Sequence, residues 1–329
     1  MHLVAAPDKF RGTATAREVA DAMCAAAVTA GWTSCAVPMA DGGEGLLDAL
    51  GGPTRSTTVA GPLGDPVEAP WRLVRGTAVI EMARASGLEL LGGAEHNDPI
   101  AASTHGTGEL IARAVESGAS RIIVGLGGSA TTDGGLGALR AMYPLQRLRG
   151  VEIVVACDVE TTFVDAAEVF APQKGASPAQ VELLRRRLER LVDVYREDHG
   201  VDVHDVPGSG AAGGLGGALA VVGGTLVSGF DIVAEEVDLY DEIERADLVL
   251  TGEGFLDEQS LNGKVVGGVA DLAAAAGVEA VAVVGQVLDD IDVPFVVESL
   301  VEHFGGQRAR DDTLACITKL TAGLLTERS

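Results

Sequence analysis

The sequence contains few aromatic residues and very few lysines. Phe, Trp and Tyr account for 4% of the 329 residues, so the core must be built mainly from Ala, Val, Leu and Ile. Of the 24 basic residues, only Lys9, Lys174, Lys264 and Lys319 are lysines, and three of these lie in or beside loops rich in Pro or Gly. A lysine ammonium group is a compact positive charge, unlike the planar guanidinium group of Arg, and it binds phosphate in a different way. The lysines in these loops are therefore candidate phosphate ligands.

Positive charge is scarce overall, and so are long apolar runs. The formal net charge is −24 and the pI is about 4.5. A surface this acidic repels nucleic acid and anionic lipid, so neither is an expected partner. No apolar stretch reaches membrane length without Gly or charge, and no signal peptide is expected because the N-terminus enters a strand directly. The four cysteines lack paired spacing, which favours a reducing, cytoplasmic location.

The sequence does contain an alternation of strand and helix patterns. Leu3–Ala6 and Ser34–Val37 are predicted strands, and Thr13–Ala30 between them is a predicted helix, as in a parallel sheet with helices on its faces. Short alternating segments from Ser56 to Met82 predict antiparallel hairpins instead, and the strand–helix pattern then resumes. The length suggests two domains. We place them at residues 1–55 with 230–329 and at residues 56–229.

Polar, glycine-rich loops follow most of the predicted strands. In open parallel sheets, ligands bind beyond the carboxyl ends of the strands, so these loops are the candidate site. Asp and Gly are also ordinary turn residues, but it is improbable that all of these loops arose by chance. The four loops are Asp8–Gly12, Asp41–Glu44, Gly127–Gly135 and Thr251–Gly254.

The loop Gly127–Gly135, here called the glycine loop, carries the most specific chemistry. Its consecutive glycines allow backbone N–H groups to approach a phosphate, and Ser129 and Thr131 add hydroxyl donors. Asp133 is a candidate metal ligand or proton acceptor. Asp158, at a strand end, suits Mg²⁺ or general-base work in the same way. Two lysines, Lys174 and Lys264, are placed to neutralise phosphate oxygens.

Other motifs point to different chemistry. Gly125–Ala130 fits the dinucleotide fingerprint G-x-G-x-x-A, and Gly208–Gly213 fits G-x-G-x-x-G. The first continues into Thr-Thr-Asp-Gly-Gly, a poor helix start, and the second follows a polar segment instead of a strand, so both are weak. Gly263-Lys264 is not a Walker A loop, and Ser129 is not in a hydrolase elbow. The histidines show no metal spacing.

Eight motifs follow one another along nearly the whole chain: Ala6–Gly12, Pro38–Gly45, Gly106–Ile111, Gly127–Gly135, Ala156–Val159, Pro172–Ala176, Gly210–Gly214 and Thr251–Gly254. In this order they resemble the motifs of the type I glycerate kinases, the bacterial glycerate 2-kinases. The chain departs from that pattern in three places. Residues Met142–Val151 form a shorter stretch than usual, Thr161–Phe163 replaces an Asn-Pro-Leu run, and Phe255 stands where many members carry Arg.

The resemblance implies a kinase that uses ATP and Mg²⁺ to phosphorylate D-glycerate, with 2-phosphoglycerate as the expected product. It also implies a parallel, Rossmann- or flavodoxin-like α/β domain into which a second α/β domain is inserted, with the active site in the interdomain cleft. A monomer or homodimer is expected. Two alternatives stay open: an NAD(P)-dependent hydroxy-acid dehydrogenase, and an inactive relative that only binds ligand.

The expected site residues fall into three groups. The catalytic group is Asp133, Asp158 and Lys264, and the first two are also candidate Mg²⁺ ligands. Substrate binding is assigned to Asp8, Lys9, Arg11, Asp41, Gly42, Gly43 and Glu44. Nucleotide and phosphate binding is assigned to Gly127, Gly128, Ser129, Thr131, Lys174, Gly213 and Glu253.

Overall fold

The computed structural model of the chain describes residues 1–261, 264–288 and 293–328. Within them the chain divides into two compact units. Unit 1 contains Met1–Asp41, Asp48–Leu50 and Phe230–Ser329, and unit 2 contains Gly42–Leu47 and Gly51–Gly229. The sequence-based domain boundaries stay a prediction. The units differ from them in two places, because Gly42–Leu47 and Gly51–Arg55 belong with the middle of the chain and not with its N-terminal part.

The strands of the described residues are, in chain order, β1 (His2–Ala5), β2 (Thr33–Ala36), β3 (Arg55–Ala60), β4 (Pro66–Val74), β5 (Thr77–Glu81), β6 (Arg121–Gly125), β7 (Glu152–Ala156), β8 (Thr225–Val227), β9 (Leu248–Thr251), β10 (Phe255–Leu256), β11 (Glu279–Val284), β12 (Gln286–Val287) and β13 (Val296–Ser299).

The α-helices of the same residues are α1 (Ala16–Thr29), α2 (Leu46–Ala49), α3 (Ala83–Ser86), α4 (His105–Glu116), α5 (Leu136–Ala141), α6 (Ala166–Phe170), α7 (Pro178–His199), α8 (Ala211–Val221), α9 (Gly229–Glu236), α10 (Leu239–Glu244), α11 (Val265–Ala276), α12 (Leu300–Phe304), α13 (Gly306–Asp311) and α14 (Thr313–Glu327). Among these helices none has both the length and the apolar character that crossing a bilayer requires.

Unit 1 is built on a five-stranded sheet in the order β13-β11-β9-β1-β2, with every neighbouring pair parallel. Its central strands are continuous apolar runs, such as Leu3-Val4-Ala5, because both faces of the sheet are covered by helices. Helix α1 starts at Ala16, three residues later than predicted. Thr15 forms a capping box with Glu18, in which the Thr15 hydroxyl accepts the Glu18 N–H at 3.2 Å.

Unit 2 contains a six-stranded sheet in the order β3-β4-β5-β6-β7-β8. The pairs β3/β4 and β4/β5 are antiparallel, which confirms the predicted hairpins, and the remaining pairs are parallel. The largest buried side chains include Trp71, Phe163 and Tyr195, and the last two rings meet edge to face with centroids 5.9 Å apart. Three of the five aromatic residues of this unit are thus buried in its core, whereas Tyr143 is 71% exposed.

Candidate functional site

In unit 1, acidic side chains follow three neighbouring parallel strands. Asp8 follows β1, Asp41 follows β2 and Glu253 follows β9. The strand ladder extends into these loops, since the Asp8 N–H donates to the Gly252 carbonyl at 2.8 Å. Gly252 is required at this point because a Cβ there would lie 1.9 Å from the carbonyl oxygen of Val283. We call Asp8, Asp41 and Glu253 the carboxylate rim.

Two members of the carboxylate rim have raised pKa values. Burial raises the pKa of Asp8 to about 6, opposed by Lys9 and Arg11 and assisted by Asp41. Burial also raises the pKa of Glu253 to about 7, opposed by a hydrogen bond with the Ser260 side chain and by Lys264, and assisted by Asp8. The Glu253 Oε1 atom is buried and has no hydrogen-bond partner among the described residues. A carboxyl group in this state can change its protonation near neutral pH.

The predicted cations of unit 1 are grouped around the same rim. Lys264 immediately precedes α11 and is half-buried, while the neighbouring Asn262 and Gly263 lie outside the described residues. Lys9 is half-buried and Arg11 is exposed. A Cβ on Gly254 would lie 3.2 Å from the backbone nitrogen of Arg11, so the loops after β9 and β1 are in contact there.

In unit 2, the glycine loop presents three consecutive backbone N–H groups. In the described part of the chain, no hydrogen bond uses the N–H of Gly127, Gly128 or Ser129. The flanks are held, since Ala130 N–H donates to Ser86 at 3.0 Å and Leu88 N–H donates to Gly128 at 2.8 Å. Successive backbone amides of this kind form an anion-binding nest.

Lys174 supports the glycine loop from inside the protein. It is 3% exposed, and its Nζ donates to Ser129 Oγ at 2.8 Å and to the Thr131 carbonyl at 2.6 Å. Burial lowers its pKa to about 7, and Asp133 partly opposes this shift. The structure therefore places Lys174 against the loop itself and not on an open surface.

Asp133 is the most heavily hydrogen-bonded residue of the loop. Its carboxylate accepts the N–H of Thr104 at 2.9 Å, of Gly135 at 3.0 Å and of Gly137 at 3.2 Å. The hydroxyls of Ser103 and Thr104 donate to it as well. Five donors fill the roughly four acceptor sites of a carboxylate. Asp133 as a catalytic or metal-binding residue stays a prediction, and its contacts here organise the loop.

Helix α8 packs its unusual start against the same loop. Ala212, Gly213 and Gly214 have left-handed backbone angles, so α8 is regular only after them. A Cβ on Gly213 would lie 2.0 Å from the Thr131 carbonyl oxygen, and the Gly134 N–H donates to the Gly213 carbonyl at 3.0 Å. Gly213 thus acts through close backbone approach to the loop.

The remaining predicted residues of unit 2 lie near the carboxyl ends of β6 and β7. Gly42 has φ +88°, and a Cβ there would lie 3.1 Å from the Ala156 Cβ. Gly43 lies close to Gly127, since a Cβ on Gly127 would be 2.9 Å from the Gly43 Cα. Glu44 and Asp158 are exposed. In the described residues, no group of three or more His, Cys, Asp or Glu side chains could hold a metal ion.

Comparisons with known proteins identify the family. The model of the Glycerate kinase family matches residues 3–143 and 144–316. Glycerate 2-kinase of Escherichia coli K12 is 40% identical, covering 89% of this chain and 87% of its own length. The chain belongs to the glycerate kinase family. Glycerate kinase of Bacillus subtilis is 38% identical over 88% of this chain and 86% of its own length. A crystal structure described as a glycerate kinase 2 from Salmonella typhimurium LT2 has a TM-score of 0.84 at 34% identity, covering 100% and 99% of the two chains.

Membership of the glycerate kinase family confirms the resemblance and the mixed α/β class with parallel sheets, and it supports a kinase. The relatives give no support to a dehydrogenase or to an inactive protein. The two dinucleotide fingerprints also lack their structural context. Helix α5 begins only at Leu136, six positions after Ala130, and α8 is not preceded directly by a strand.

Sequence reasoning missed Glu81, Thr104 and Tyr195. The Tyr195 hydroxyl donates to the Gly134 carbonyl at 2.8 Å, and Thr104 contacts Asp133. Neither residue stands in a recognisable motif, so no sequence signal linked them to the loop. Glu81 did carry a signal, since it is a lone acidic residue at the end of the apolar strand β5.

We predict that Asp133→Asn lowers the free energy of unfolding of unit 2 by about 3 kcal/mol. In the wild type, backbone N–H groups donate to both oxygens of the Asp133 carboxylate. In the variant, some of these N–H groups face the N–H₂ group of the amide, which cannot accept their hydrogen bonds. Chemical denaturation followed by far-UV circular dichroism measures this. Asp165→Asn is the matched control on an exposed carboxylate whose partner is the nearby Thr162 hydroxyl. A stable Asp133→Asn protein would contradict the structural role.

Proposed function

We propose that this protein is an ATP-dependent glycerate kinase that phosphorylates D-glycerate, most simply to 2-phosphoglycerate. The observation that carries the proposal is the run of three backbone amides at Gly127, Gly128 and Ser129, held in place by the buried Lys174 in a chain of the glycerate kinase family. The curated relatives named as glycerate kinases supply the substrate class. Because the chain has only four lysines, the burial of one of them against this loop supports a functional role for the loop.

In the proposed reaction, the glycine loop of unit 2 binds nucleotide phosphates. The amides of Gly127 to Ser129 donate to phosphate oxygens without displacing any hydrogen bond of the described residues. The Ser129 hydroxyl can donate as well, since it accepts from Lys174. Thr131 and Gly213 contribute by fixing the backbone of the loop. This division supports preorganised charge stabilisation, which dominates phosphoryl transfer.

The rim of unit 1 is assigned to glycerate. Lys9 and Arg11 provide the positive charge that a carboxylate substrate needs in so acidic a protein. Asp8 and Asp41 can accept hydrogen bonds from the glycerate hydroxyls. Gly42, Gly43 and Glu44, in unit 2, stay assigned to the substrate as well.

Proton and charge transfer are assigned to Glu253 and Lys264. The glycerate hydroxyl loses its proton to Glu253 as its oxygen bonds to the γ-phosphorus and the bond to the leaving ADP breaks. Glu253 suits this task because its Oε1 is buried without a partner among the described residues and its pKa is about 7. Lys264 offsets the charge that develops on the transferred group.

Mg²⁺ would neutralise charge on the nucleotide phosphates. Mg²⁺ usually takes one or two protein carboxylates together with substrate phosphates, so a protein site without a preformed carboxylate cage fits this ion. The exposed Asp158 fits better than Asp133, whose oxygens already accept five hydrogen bonds. We also propose a cytoplasmic location, supported by four cysteines that form no disulfide. Whether the protein is a monomer or homodimer stays a prediction.

The proposal is tested by incubating the purified protein with ATP, Mg²⁺ and D-glycerate and measuring ADP release. Coupling the product directly to enolase identifies 2-phosphoglycerate, because 3-phosphoglycerate gives no signal without a mutase. We expect glycerate-dependent ADP release and a direct enolase signal. No ADP release would refute the kinase, and ADP release with a signal only after mutase is added would refute the 2-phosphoglycerate product.

A further inference from the structure

Glu81 is a buried carboxylate with no place in the proposed chemistry. It is the last residue of β5, and its side chain is 2% exposed. Its Oε1 accepts the N–H of Gly45 at 3.0 Å and the N–H of Leu47 at 2.9 Å. Its Oε2 accepts Nε of Arg84 at 2.8 Å. A buried carboxylate is costly unless such donors compensate it, so these contacts are specific features of the fold.

The two backbone donors belong to the segment Gly42–Leu47, which is part of unit 2 although both residues that flank it belong to unit 1. Close backbone approaches leave no room for a side chain at Gly42 or at the facing Gly125. A Cβ on Gly125 would lie 2.5 Å from the Gly42 carbonyl oxygen, and a Cβ on Gly42 would lie 2.6 Å from the Gly229 Cα. Leu46 and Leu47 are buried. The segment Gly42–Leu47 is therefore closely packed against this sheet in a single position.

We propose that Glu81 is a positioning residue that fixes the segment Gly42–Leu47 on the sheet of unit 2 and thereby sets the geometry in which Gly43 and Glu44 bind glycerate. The carboxylate accepts hydrogen bonds from two backbone N–H groups of this segment and does not touch substrate. The functional part of this inference rests on the proposed function, whereas the structural part does not.

The acceptor atom matters more than the ion pair. Both backbone N–H groups donate to the same oxygen, Oε1, and this oxygen would be kept by a glutamine. The Arg84 side chain is 40% exposed, and an ion pair with a solvated partner contributes little. Removing Arg84 should therefore have a much smaller effect than removing the acceptor.

The test compares four variants of the full-length protein. Glu81→Met keeps the volume and removes both acceptors, whereas Glu81→Gln keeps Oε1. Glu81→Asp withdraws the acceptor by one methylene, and Arg84→Gln removes only the ion pair. Hydrogen exchange measured by mass spectrometry follows the amides of Gly45 and Leu47, with the β6 amides as an internal reference, and steady-state kinetics gives KM and kcat.

For Glu81→Met we expect exchange at Gly45 and Leu47 to be at least about tenfold faster, with β6 unchanged, and KM for glycerate to rise about tenfold with a smaller change in kcat. Glu81→Gln and Arg84→Gln should stay within about threefold of wild type by both measures. Glu81→Asp should lie between them. If Glu81→Met does not fold, the ordering of the Asp and Gln variants still tests the acceptor.

Three results would overturn the inference. The first is slow exchange and a normal KM in Glu81→Met, and the second is equal loss in the Met and Gln variants. The third is faster exchange at Gly45 and Leu47 without any change in the KM of an active enzyme. Failure of the proposed function is a separate outcome, because wild-type protein would then release no glycerate-dependent ADP while the exchange measurements remained interpretable.

Discussion

Replacing Lys174 with Met should reduce kcat/KM by at least about 100-fold while leaving the protein folded. The ammonium group is the only side-chain donor shared by Ser129 Oγ and the Thr131 carbonyl among the described contacts, at 2.8 and 2.6 Å. Without it the glycine loop loses the support that aims its amides, and misplacement of about 1 Å can cost about 100-fold in rate. Ser129→Ala, which removes one of the two acceptors, should cost less.

The stability of Lys174→Met should change little. Met fills nearly the same volume, and removal of a buried amine ends the desolvation that lowers its pKa to about 7. The two acceptors that lose their donor offset this gain. Lys319→Met is the matched control, because Lys319 is exposed beside the Phe304 ring in unit 1. Steady-state kinetics and thermal unfolding are measured for both variants. Activity of Lys174→Met within threefold of wild type would contradict the proposed role of Lys174.

The second large effect concerns Glu253. Glu253→Gln should lower kcat by about 100- to 10,000-fold, the usual contribution of a general base. In wild type, kcat should rise as pH increases through about 7, because the carboxyl must lose its proton to accept one from substrate. Besides burial, Ser260, Asp8, Lys264 and Asp257 influence the pKa of Glu253. The variant should lose that rise along with its rate.

Stability should show the opposite pH dependence. The folded-state pKa values of Asp8 and Glu253 are raised to about 6 and about 7 from ordinary values of 3.8 and 4.5. The folded protein therefore binds protons more tightly than the unfolded chain, and the stabilisation that this gives below the unfolded pKa values is lost as pH rises through the folded values.

For Glu253 the loss is on the order of 3 kcal/mol between pH 4.5 and 8. Urea denaturation across this range measures it, and Glu253→Gln should flatten part of the curve. A pH-independent kcat in wild type, or a stability curve that the substitution leaves unchanged, would count against the assignment. Asp271→Asn, at an exposed carboxylate on α11 that does not act on the pKa of Glu253, is the matched control.

Much of the fold could be predicted from the sequence because its signals are local. Apolar runs of strand length fixed the existence and order of most strands, and the Thr15–Glu18 pair is a recognisable helix start. The predicted start of α1 at Thr13 was wrong because residues before Thr15 form a turn, in which the Thr13 N–H donates to the Phe10 carbonyl at 2.9 Å. The polar loops at the strand ends could also be predicted from local sequence patterns, and the motifs in these loops indicated the family.

By itself the sequence determined the family, the mixed α/β class and which loops are glycine-rich, since each depends on residue types at short spacing. Tertiary structure decided which partner each polar side chain meets. Lys174 lies 45 positions from Ser129, and Glu81 lies 36 from Gly45, so only folding shows that one supports a loop and the other holds a segment. Burial also set the pKa values of Asp8 and Glu253. Desolvation depends on everything packed around a group, and no neighbouring residue in the sequence encodes it.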